Sequence, residues 1–314
     1  MRWKPDPFGR DATDPLSIPL RGWWQVVKRV WIKSSRDNFS VVAAGCAFFA
    51  LFAVFPALYA LLAKLMISSW PRSPGLHKPR LRLWSLFISL VLAFWSASSG
   101  VQAMLAALNV AYEEEERRGF VQYYLHAFAF TLAGILGGLV VLLAIVYLPL
   151  VFASAGAPDL FETLARVLRW PLLALIVIVL LAVLYRVGPC RRSAKWRWIS
   201  VGSLFATSVW MAASALFSLY VSYVANYDRL YGSVGAVIIM LFWLYLSFYI
   251  VLIGAGINAE LELQTAEDTT VGAPKPMGRR GAYVADHVAG GPRDKLTTRQ
   301  TWGESQEPTR PSNV

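Results

Sequence analysis

The chain has 314 residues, of which 56% are hydrophobic and only 16% are charged. Soluble domains carry about a quarter charged residues, so this composition excludes a soluble globular protein. The excess of 30 Lys and Arg over 19 Asp and Glu favours an anionic membrane surface as the partner. Cys46 and Cys190 provide no disulfide framework.

The N-terminal region divides into two parts with different predicted structures. Residues 1–19 are polar and dotted with proline, which predicts a disordered segment without a cleavable signal peptide. Residues 20–37 predict an amphipathic helix lying in the membrane interface, with a polar extension of the first span as the alternative. Its apolar face holds Leu20, Trp23, Trp24, Val27, Val30 and Trp31, and its basic face holds Arg21, Gln25, Lys28, Arg29 and Arg36.

Six apolar runs between residues 38 and 264 predict six transmembrane helices, because a helix needs about 20 apolar residues to cross a bilayer. The runs cover residues 41–67, 83–110, 126–154, 170–185, 198–224 and 234–257. The fourth run is short and would require Arg169 and Arg186 to extend toward the interface. The predicted fold class is all-α, a polytopic integral membrane protein.

The distribution of Lys and Arg predicts the orientation of these spans. The segments on the N-terminal side, which are 1–40, 111–125, 186–197 and the tail, carry 22 Lys and Arg, whereas the three opposite loops carry 7. Both termini are therefore expected in the cytoplasm. Residues 265–314 contain six Gly and five Pro without an apolar period, which predicts a disordered cytoplasmic tail.

Small hydroxyl residues form one stripe on the second span and another on the fifth. The candidates for a polar path on these stripes are Ser96, Ser99, Ser203, Thr207, Ser214 and Ser218. Such stripes either allow helices to approach closely and hydrogen-bond to each other or line a path for a polar solute. Residue type alone does not distinguish these interpretations.

Several residues within the spans disfavour a regular helix. The candidate helix-break positions are Pro56, Gly134, Gly137, Gly138 and Pro149. Broken helices are a feature of transporter sites, but Gly and Pro are also common in ordinary membrane helices.

Two acidic groups lie at the ends of spans. The run Glu113–Glu116 favours a solvated helix end, and a divalent-cation site is the alternative. Asn258, Glu260 and Glu262 are expected to form the interfacial end of the last span.

No sequence motif indicates catalysis, since the chain lacks a P-loop, a GxSxG elbow and an HExxH pair. We therefore expect no catalytic residue, no bound metal and no cofactor. The loop Arg186–Trp198 mixes basic and aromatic residues that RNA could contact, but topogenic charge and an aromatic belt explain all of them. No nucleic-acid partner is expected.

Four stretches together resemble the YihY/BrkB family of bacterial inner-membrane proteins. They are Ala43–Pro56; Ser96–Gly100 with Leu108–Phe120; Leu184–Pro189; and Tyr231–Ala236 with Trp243 and Gly254–Glu260. The resemblance implies six spans with cytoplasmic termini in the inner (plasma) membrane. The family has carried a virulence-factor label and the label ribonuclease BN, which is generally regarded as mistaken.

The resemblance implies a transporter or exporter of a small polar solute, and the composition places the protein in the lipid bilayer. One alternative is a scaffold membrane protein that maintains envelope integrity without transport. The other is a tRNA-processing ribonuclease. A homo-oligomer is left open.

Overall fold

A computed structural model describes residues 6–69, 79–154, 159–224 and 228–289. Over these residues the regular structure is helical, with one 3-10 turn at Pro15–Ser17 and one isolated antiparallel bridge between Ala194 and Thr270. The helices are α1 (Leu20–Arg36), α2 (Phe39–Ser69), α3 (Pro79–Ala111), α4 (Phe120–Ser154), α5 (Asp159–Val187), α6 (Trp196–Val224), α7 (Asp228–Glu262) and α8 (Tyr283–Asp286).

Helices α2–α7 are the six predicted spans, and each contains a stretch long and apolar enough to cross a membrane. The prediction of an all-α polytopic membrane protein is therefore confirmed. Each of the six helices extends beyond its predicted bounds at one end or both, and α5 and α7 extend the most. Helix α5 begins at Asp159 rather than at Trp170, so the fourth span lies in a helix of ordinary length, and α7 continues to Glu262 rather than ending at Ile257.

The six long helices pack in a ring. Each packs against the next along the chain, and α7 returns to pack against α2, with additional contacts to α1 and α3. Alternation of direction brings the N-terminal segment, the loops after α3 and α5, and the chain after α7 to one end of the ring. We call this end, formed by residues 6–38, 112–119, 188–195 and 263–289, the polar end.

The main buried core lies next to the polar end. It includes Phe39 from α2, Leu108 from α3, Tyr185 from α5, Ile199 from α6 and Leu252 from α7, all of them fully or almost fully buried. Each of these residues lies within a few turns of the end of its helix that meets the polar end. The burial of apolar side chains therefore stabilises this end of the ring.

Helix α1 forms at the predicted residues, but its sides differ from the predicted ones. Trp24, Val27 and Trp31 are exposed along one side, as a helix in a membrane interface requires. Val30 was predicted on that apolar face and is instead buried against the rest of the protein, beside Val26. The reason is that α1 packs against α7 and α2, which requires an inner apolar side as well as an outer one.

Two segments predicted to be disordered are folded over their described residues. In the segment before α1, Ala12 and Ile18 are buried, and the hydroxyl of Thr265 donates a hydrogen bond to the carbonyl of Ala12 at 2.6 Å. After α7, residues 265–289 pack across the polar end. The guanidinium of Arg280 holds this segment together by donating to the carbonyls of Ala266, Glu267, Lys275 and Ala285. The remaining parts of both predictions, residues 1–5 and 290–314, lie outside the described residues.

The predicted helix breaks lie within continuous helices. Helix α2 runs through Pro56, and α4 runs through Gly134, Gly137, Gly138 and Pro149. At Gly137 a Cβ atom would lie 3.2 Å from Leu180 on α5, so this glycine permits close packing of the two helices. At Gly134 and Gly138 a Cβ atom would meet nothing within 4 Å, so these two glycines are not required by close packing.

Candidate functional site

The candidate site is a group of buried charged and amide side chains where α3 and α7 reach the polar end. Arg191, in the loop after α5, forms a two-pronged ion pair with Glu262 at the end of α7, with N–O distances of 2.7 and 3.1 Å. Both side chains are completely buried. The hydroxyl of Thr269 donates to Glu262 at 2.7 Å, and the guanidinium of Arg191 lies 4.2 Å from the centre of the Tyr112 ring. Burial disfavours the charged form of Arg191, but Glu262 more than compensates and holds its pKa above the usual value.

Asn258 lies one turn before Glu262 on α7 and joins this helix to α6. Its side-chain oxygen accepts a hydrogen bond from the backbone N–H of Gly202 at 2.7 Å. A Cβ atom on Gly202 would lie 2.2 Å from the carbonyl oxygen of Gly254, so only glycine allows α6 and α7 to approach this closely. The amide of Asn258 is thereby held beside the hydroxyl of Tyr112.

Three donor groups here make no well-formed hydrogen bond among the described residues, although the first two lie beside each other. They are the hydroxyl of Tyr112, the Nδ2 amide of Asn258 and the Nε of Arg191. Burial raises the pKa of the Tyr112 hydroxyl, so it remains protonated and available as a donor. Buried donors without partners cost free energy, which means that this group has an unfilled capacity for an acceptor.

A second set of ion pairs joins α1 to the same end of the ring. Arg29 pairs with Glu260 and donates to the side-chain oxygen of Gln264 at 2.7 Å. Lys33 is almost fully buried and pairs with Glu113 at 2.6 Å. Burial by itself would raise the pKa of Glu113, but Lys33 and Arg36 together hold it below its usual value. Helix α1 is therefore attached to α7 and to the end of α3 by charge as well as by apolar packing.

The run Glu113–Glu116 is not the uniformly solvated helix end that the sequence favoured. Glu113 adopts a left-handed backbone conformation with φ of 56° and turns toward Lys33. Glu114 accepts a hydrogen bond from the backbone N–H of Tyr283 at 2.6 Å, and burial raises its pKa. Glu116 accepts from the amide of Asn109 at 2.8 Å. The carboxylates contact different partners, because the folded tail and α1 approach the run from different sides.

The six candidate path residues are not brought together. The hydroxyl of Ser96 donates to the carbonyl of Phe49 on α2, whereas those of Ser99, Ser203 and Thr207 donate to carbonyls of their own helices. Ser214 has a buried hydroxyl without a partner among the described residues, and Ser218 is exposed. Helices α3 and α6, which carry the two stripes, do not pack against each other over the described residues. The polar path stays a prediction.

The residues that sequence reasoning missed as a site are Asn258, Glu260, Glu262 and Arg191. Asn258 and Glu262 were expected at an interfacial helix end, yet both are fully buried. One signal was available: Gly254, Asn258 and Glu262 follow each other at intervals of four residues, which places them on one helix face. The partner Arg191 had no comparable signal because it lies in a loop.

Comparisons with known proteins agree with the fold. The family model described as virulence factor BrkB matches residues 76–277, a range that includes Arg191, Asn258 and Glu262. A ribonuclease-like protein of Bacillus subtilis strain 168, YfkH, is 37% identical over 180 residues, which is 56% of this chain and 65% of that protein.

Other relatives are named only as membrane proteins. The UPF0761 membrane protein PSHAa0171 of Pseudoalteromonas translucida is 30% identical over 43% of both chains. The UPF0761 membrane protein IL2447 of Idiomarina loihiensis is 34% identical over 27% of this chain and 29% of its own length. The matched regions thus cover less than two thirds of these relatives. No solved structure matches the chain.

The family match extends over more than half of the chain, and the six long apolar helices agree with the membrane proteins that it resembles. The chain therefore belongs to the virulence factor BrkB family of multi-pass membrane proteins.

Proposed function

We propose that this membrane protein moves a small polar solute across the bilayer through the ring formed by α2–α7. The supporting observation is the group of unpaired donors on Tyr112, Asn258 and Arg191, next to the completely buried Glu262. Polar and ionisable side chains that are buried away from water are costly, and such groups commonly occur at functional sites. A solute with acceptor oxygen atoms would complete hydrogen bonds that the described residues leave open.

In this proposal the polar end is the closed gate of the path. Arg191 follows α5, Glu262 ends α7, and Asn258 ties α7 to α6, so the contacts of this group hold three helices together. The hydroxyl of Tyr185 on α5 adds a hydrogen bond to the carbonyl of Val251 on α7 at 2.8 Å. A solute that binds the open donors of Arg191 and Asn258 would draw these side chains away from Glu262 and Gly202 and allow the helices to separate.

The test compares solutes inside and outside cells that lack the protein, overproduce it, or overproduce Tyr112→Phe. The substitution keeps the ring under Arg191 and removes only an unpaired hydroxyl, so the protein should remain at least as stable as the wild type. Transport predicts that one solute moves in opposite directions in the deletion and overproducing cells, and that Tyr112→Phe weakens the effect. Tyr220→Phe, at an exposed position, is the matched control and should behave as the wild type. General leakage from the deletion cells, unchanged by Tyr112→Phe, would contradict transport.

A scaffold function in envelope integrity is the second candidate, favoured by the hydroxyls of Ser96, Ser203 and Thr207, which bond to helix carbonyls as packing residues do. Cysteine at Ser214 distinguishes the two candidates, because its hydroxyl is buried without a partner among the described residues. In a wet path a small charged thiol reagent reacts with Ser214→Cys and a transported solute protects it. In a dry packing position the thiol stays silent, as it should in Ser218→Cys, which lies on the lipid-covered outside of the same helix.

We also infer that the protein does not process tRNA, despite the name of its relative in Bacillus subtilis. Hydrolysis needs a general base or a metal-bound water. Glu113, Glu114 and Glu116 are engaged with separate partners rather than converging on one point. Purified protein should leave tRNA intact in the presence of Mg²⁺, Mn²⁺, Co²⁺ or Zn²⁺. Cleavage by the wild type that is lost in Glu113→Gln or Glu116→Gln would support the ribonuclease function instead.

We propose that the polar end faces the cytoplasm of a bacterial cell, with the protein in the inner membrane. The excess of Lys and Arg in the segments that form this end supports the orientation. Cysteine at Gly119 reports on it well, because Gly119 is exposed and a Cβ atom there meets nothing within 4 Å. In a protein without Cys46 and Cys190, Gly119→Cys should resist an impermeant thiol reagent in intact spheroplasts, and Gly156→Cys in a predicted outer loop should react. If only Gly119→Cys were labelled, the protein would have the opposite orientation.

A further inference from the structure

A cleft of about 350 Å³ lies between the end of α3 and the beginning of α4. Its lining combines a charged pair, an amide and two aromatic rings: Ala106, Asn109, Glu116, Arg118, Phe120 and Tyr123. The apolar span of α3 ends at Ala111 and that of α4 begins at Phe120, so the cleft opens at the boundary between the hydrocarbon and the headgroups. It is separate from the Arg191–Glu262 group and does not depend on the proposed transport.

Arg118 lines the cleft and has one donor that is not used within the protein. Its side chain is only 9% exposed, and its Nη2 donates to the carbonyl of Gly188 at 2.9 Å. Its Nη1 is buried and has no hydrogen-bond partner among the described residues. A guanidinium has five N–H donors, and a buried one without a partner favours a ligand with charged oxygen atoms. Helix α4 begins here at Phe120, and its first backbone N–H groups add to the positive potential.

Glu116 places a negative charge next to this donor. Its Oε1 lies 3.8 Å from the Nε of Arg118, and its side chain is 29% exposed. The carboxylate accepts hydrogen bonds from the amide of Asn109 and from the backbone N–H of Arg118, which leaves lone pairs for a further donor. A ligand that suits both residues carries a phosphate-like group and a cationic N–H donor a few bonds apart.

The side chains beside the cleft face lipid rather than water. Phe120 and Val121 are 76% and 78% exposed at the start of the apolar span of α4, and Leu125 is exposed one turn further on. Such a surface is stable only when acyl chains cover it. A ligand with two apolar chains attached to its phosphate would cover these residues while its headgroup occupies the cleft.

We propose that the cleft binds the headgroup of a zwitterionic aminophospholipid, of the phosphatidylethanolamine type. The phosphate pairs with Arg118 at the start of α4, the primary ammonium donates to Glu116, and the acyl chains lie along Phe120, Val121 and Leu125. Glu116 disfavours a headgroup with a negative charge alone. A quaternary ammonium has no N–H to donate, so the site prefers the primary amine.

The test measures binding of short-chain phospholipids to the full-length protein in detergent, by native mass spectrometry and by the shift in thermal unfolding. Phosphatidylethanolamine should bind with one-to-one saturation and about tenfold more tightly than phosphatidylcholine or phosphatidylglycerol, since one charge-assisted hydrogen bond is at stake. Inorganic phosphate at millimolar concentration should not compete. Competition by phosphate alone would assign the cleft to a free anion, and equal binding of the three lipids would reduce it to unselective lipid contact; both results overturn the proposal.

Two variants probe the two charges separately. Arg118→Gln should weaken phosphatidylethanolamine binding about tenfold. Glu116→Gln should abolish the preference for phosphatidylethanolamine over phosphatidylcholine while binding of phosphatidylcholine persists, so this readout holds even if loss of the contact to Gly188 destabilises Arg118→Gln. Arg117→Gln is the matched control, because Arg117 is exposed and adjacent and does not line the cleft. A preference that survives Glu116→Gln would contradict the assigned role of the carboxylate.

Discussion

The polar end and the middle of the spans are stabilised in different ways. In the middle, large apolar side chains such as Phe52, Leu90, Leu136 and Ile238 are exposed on the outside of the ring, where lipid covers them. At the polar end, the side chains of Arg191, Glu262, Asn258 and Lys33 are buried and contact specific partners. Apolar residues in the middle are therefore exchangeable for others of similar size, whereas the polar end depends on individual residues and their geometry.

The largest loss of stability is expected when one member of the completely buried ion pair is removed. Glu262→Gln leaves Arg191 buried without its countercharge, which should lower the free energy of unfolding by about 3–5 kcal/mol. The matched control is Asp14→Asn, because Asp14 pairs with Arg197 at 2.8 Å with both side chains nearly half exposed. The control should change the free energy by less than about 1 kcal/mol. Thermal unfolding in detergent measures both. Equal losses in the two variants would mean that burial does not increase the contribution of an ion pair to stability.

A smaller loss is expected where α6 and α7 touch through glycine. In Gly202→Ala the new Cβ atom meets the carbonyl of Gly254 and the amide of Asn258, so the helices must move apart, at a cost of about 1–3 kcal/mol. Gly134→Ala is the control within a span, since a Cβ atom there meets nothing within 4 Å. It should be neutral or slightly stabilising, because alanine favours a helix more than glycine does. The two variants are heated and the folded protein that remains is measured by size-exclusion chromatography. Equal loss of folded protein from both variants would contradict the expected difference.

Adjacent glutamates should respond to pH in opposite directions. The pKa of Glu113 is lowered in the folded protein, so its contribution to stability is present above the unfolded pKa of about 4.3 and is lost as the pH falls through the folded value. The pKa of Glu114 is raised, so its contribution is complete below about 4.3 and is lost as the pH rises through the folded value.

Unfolding midpoints between about pH 2 and pH 8 distinguish the two residues, because the loss at Glu113 lies below the unfolded pKa and the loss at Glu114 lies above it. Glu113→Gln should lower stability at neutral pH and flatten the acid dependence. Glu114→Gln should raise stability at neutral pH relative to acid pH, by about 1 kcal/mol or less. The same response in both variants would show that Lys33 and Arg36 do not distinguish these neighbours.

The smallest effect on stability is expected on the outer face of α1, which resembles the middle of the spans although it lies at the polar end. Spin labels at Val27→Cys and Lys28→Cys should leave the unfolding free energy within about 0.5 kcal/mol. In vesicles, the label at Val27 should be accessible to oxygen, and the label at Lys28 to a water-soluble relaxation agent. Equal access to the aqueous agent would mean that α1 does not lie in the interface.

Hydropathy alone determined the number of spans and the all-α class, because each crossing of the bilayer requires a long run of apolar residues that few other structures need. The position of α1 followed from its amphipathic pattern for a similar reason. The helix ends were less predictable. Helix α7 continues through Asn258 and Glu262 because Arg191 and Gly202 satisfy their polar groups, and these partners are distant in the sequence.

Tertiary structure decided the rest of the site. Arg29 and Glu260 are separated by 231 residues, and neither carries a local signal of its partner. The composition of residues 265–289 predicted disorder, yet this segment is ordered by contacts across space. The backbone N–H of Lys195 donates to the carbonyl of Thr269, that of Val271 donates to the carbonyl of Ser193, and that of Tyr283 donates to the carboxylate of Glu114. The apolar runs and the amphipathic pattern reflect the lipid or water that surrounds each helix, so they can be recognised in the sequence. The ion pairs and backbone contacts at the polar end form only when the packed ring has brought the loops together.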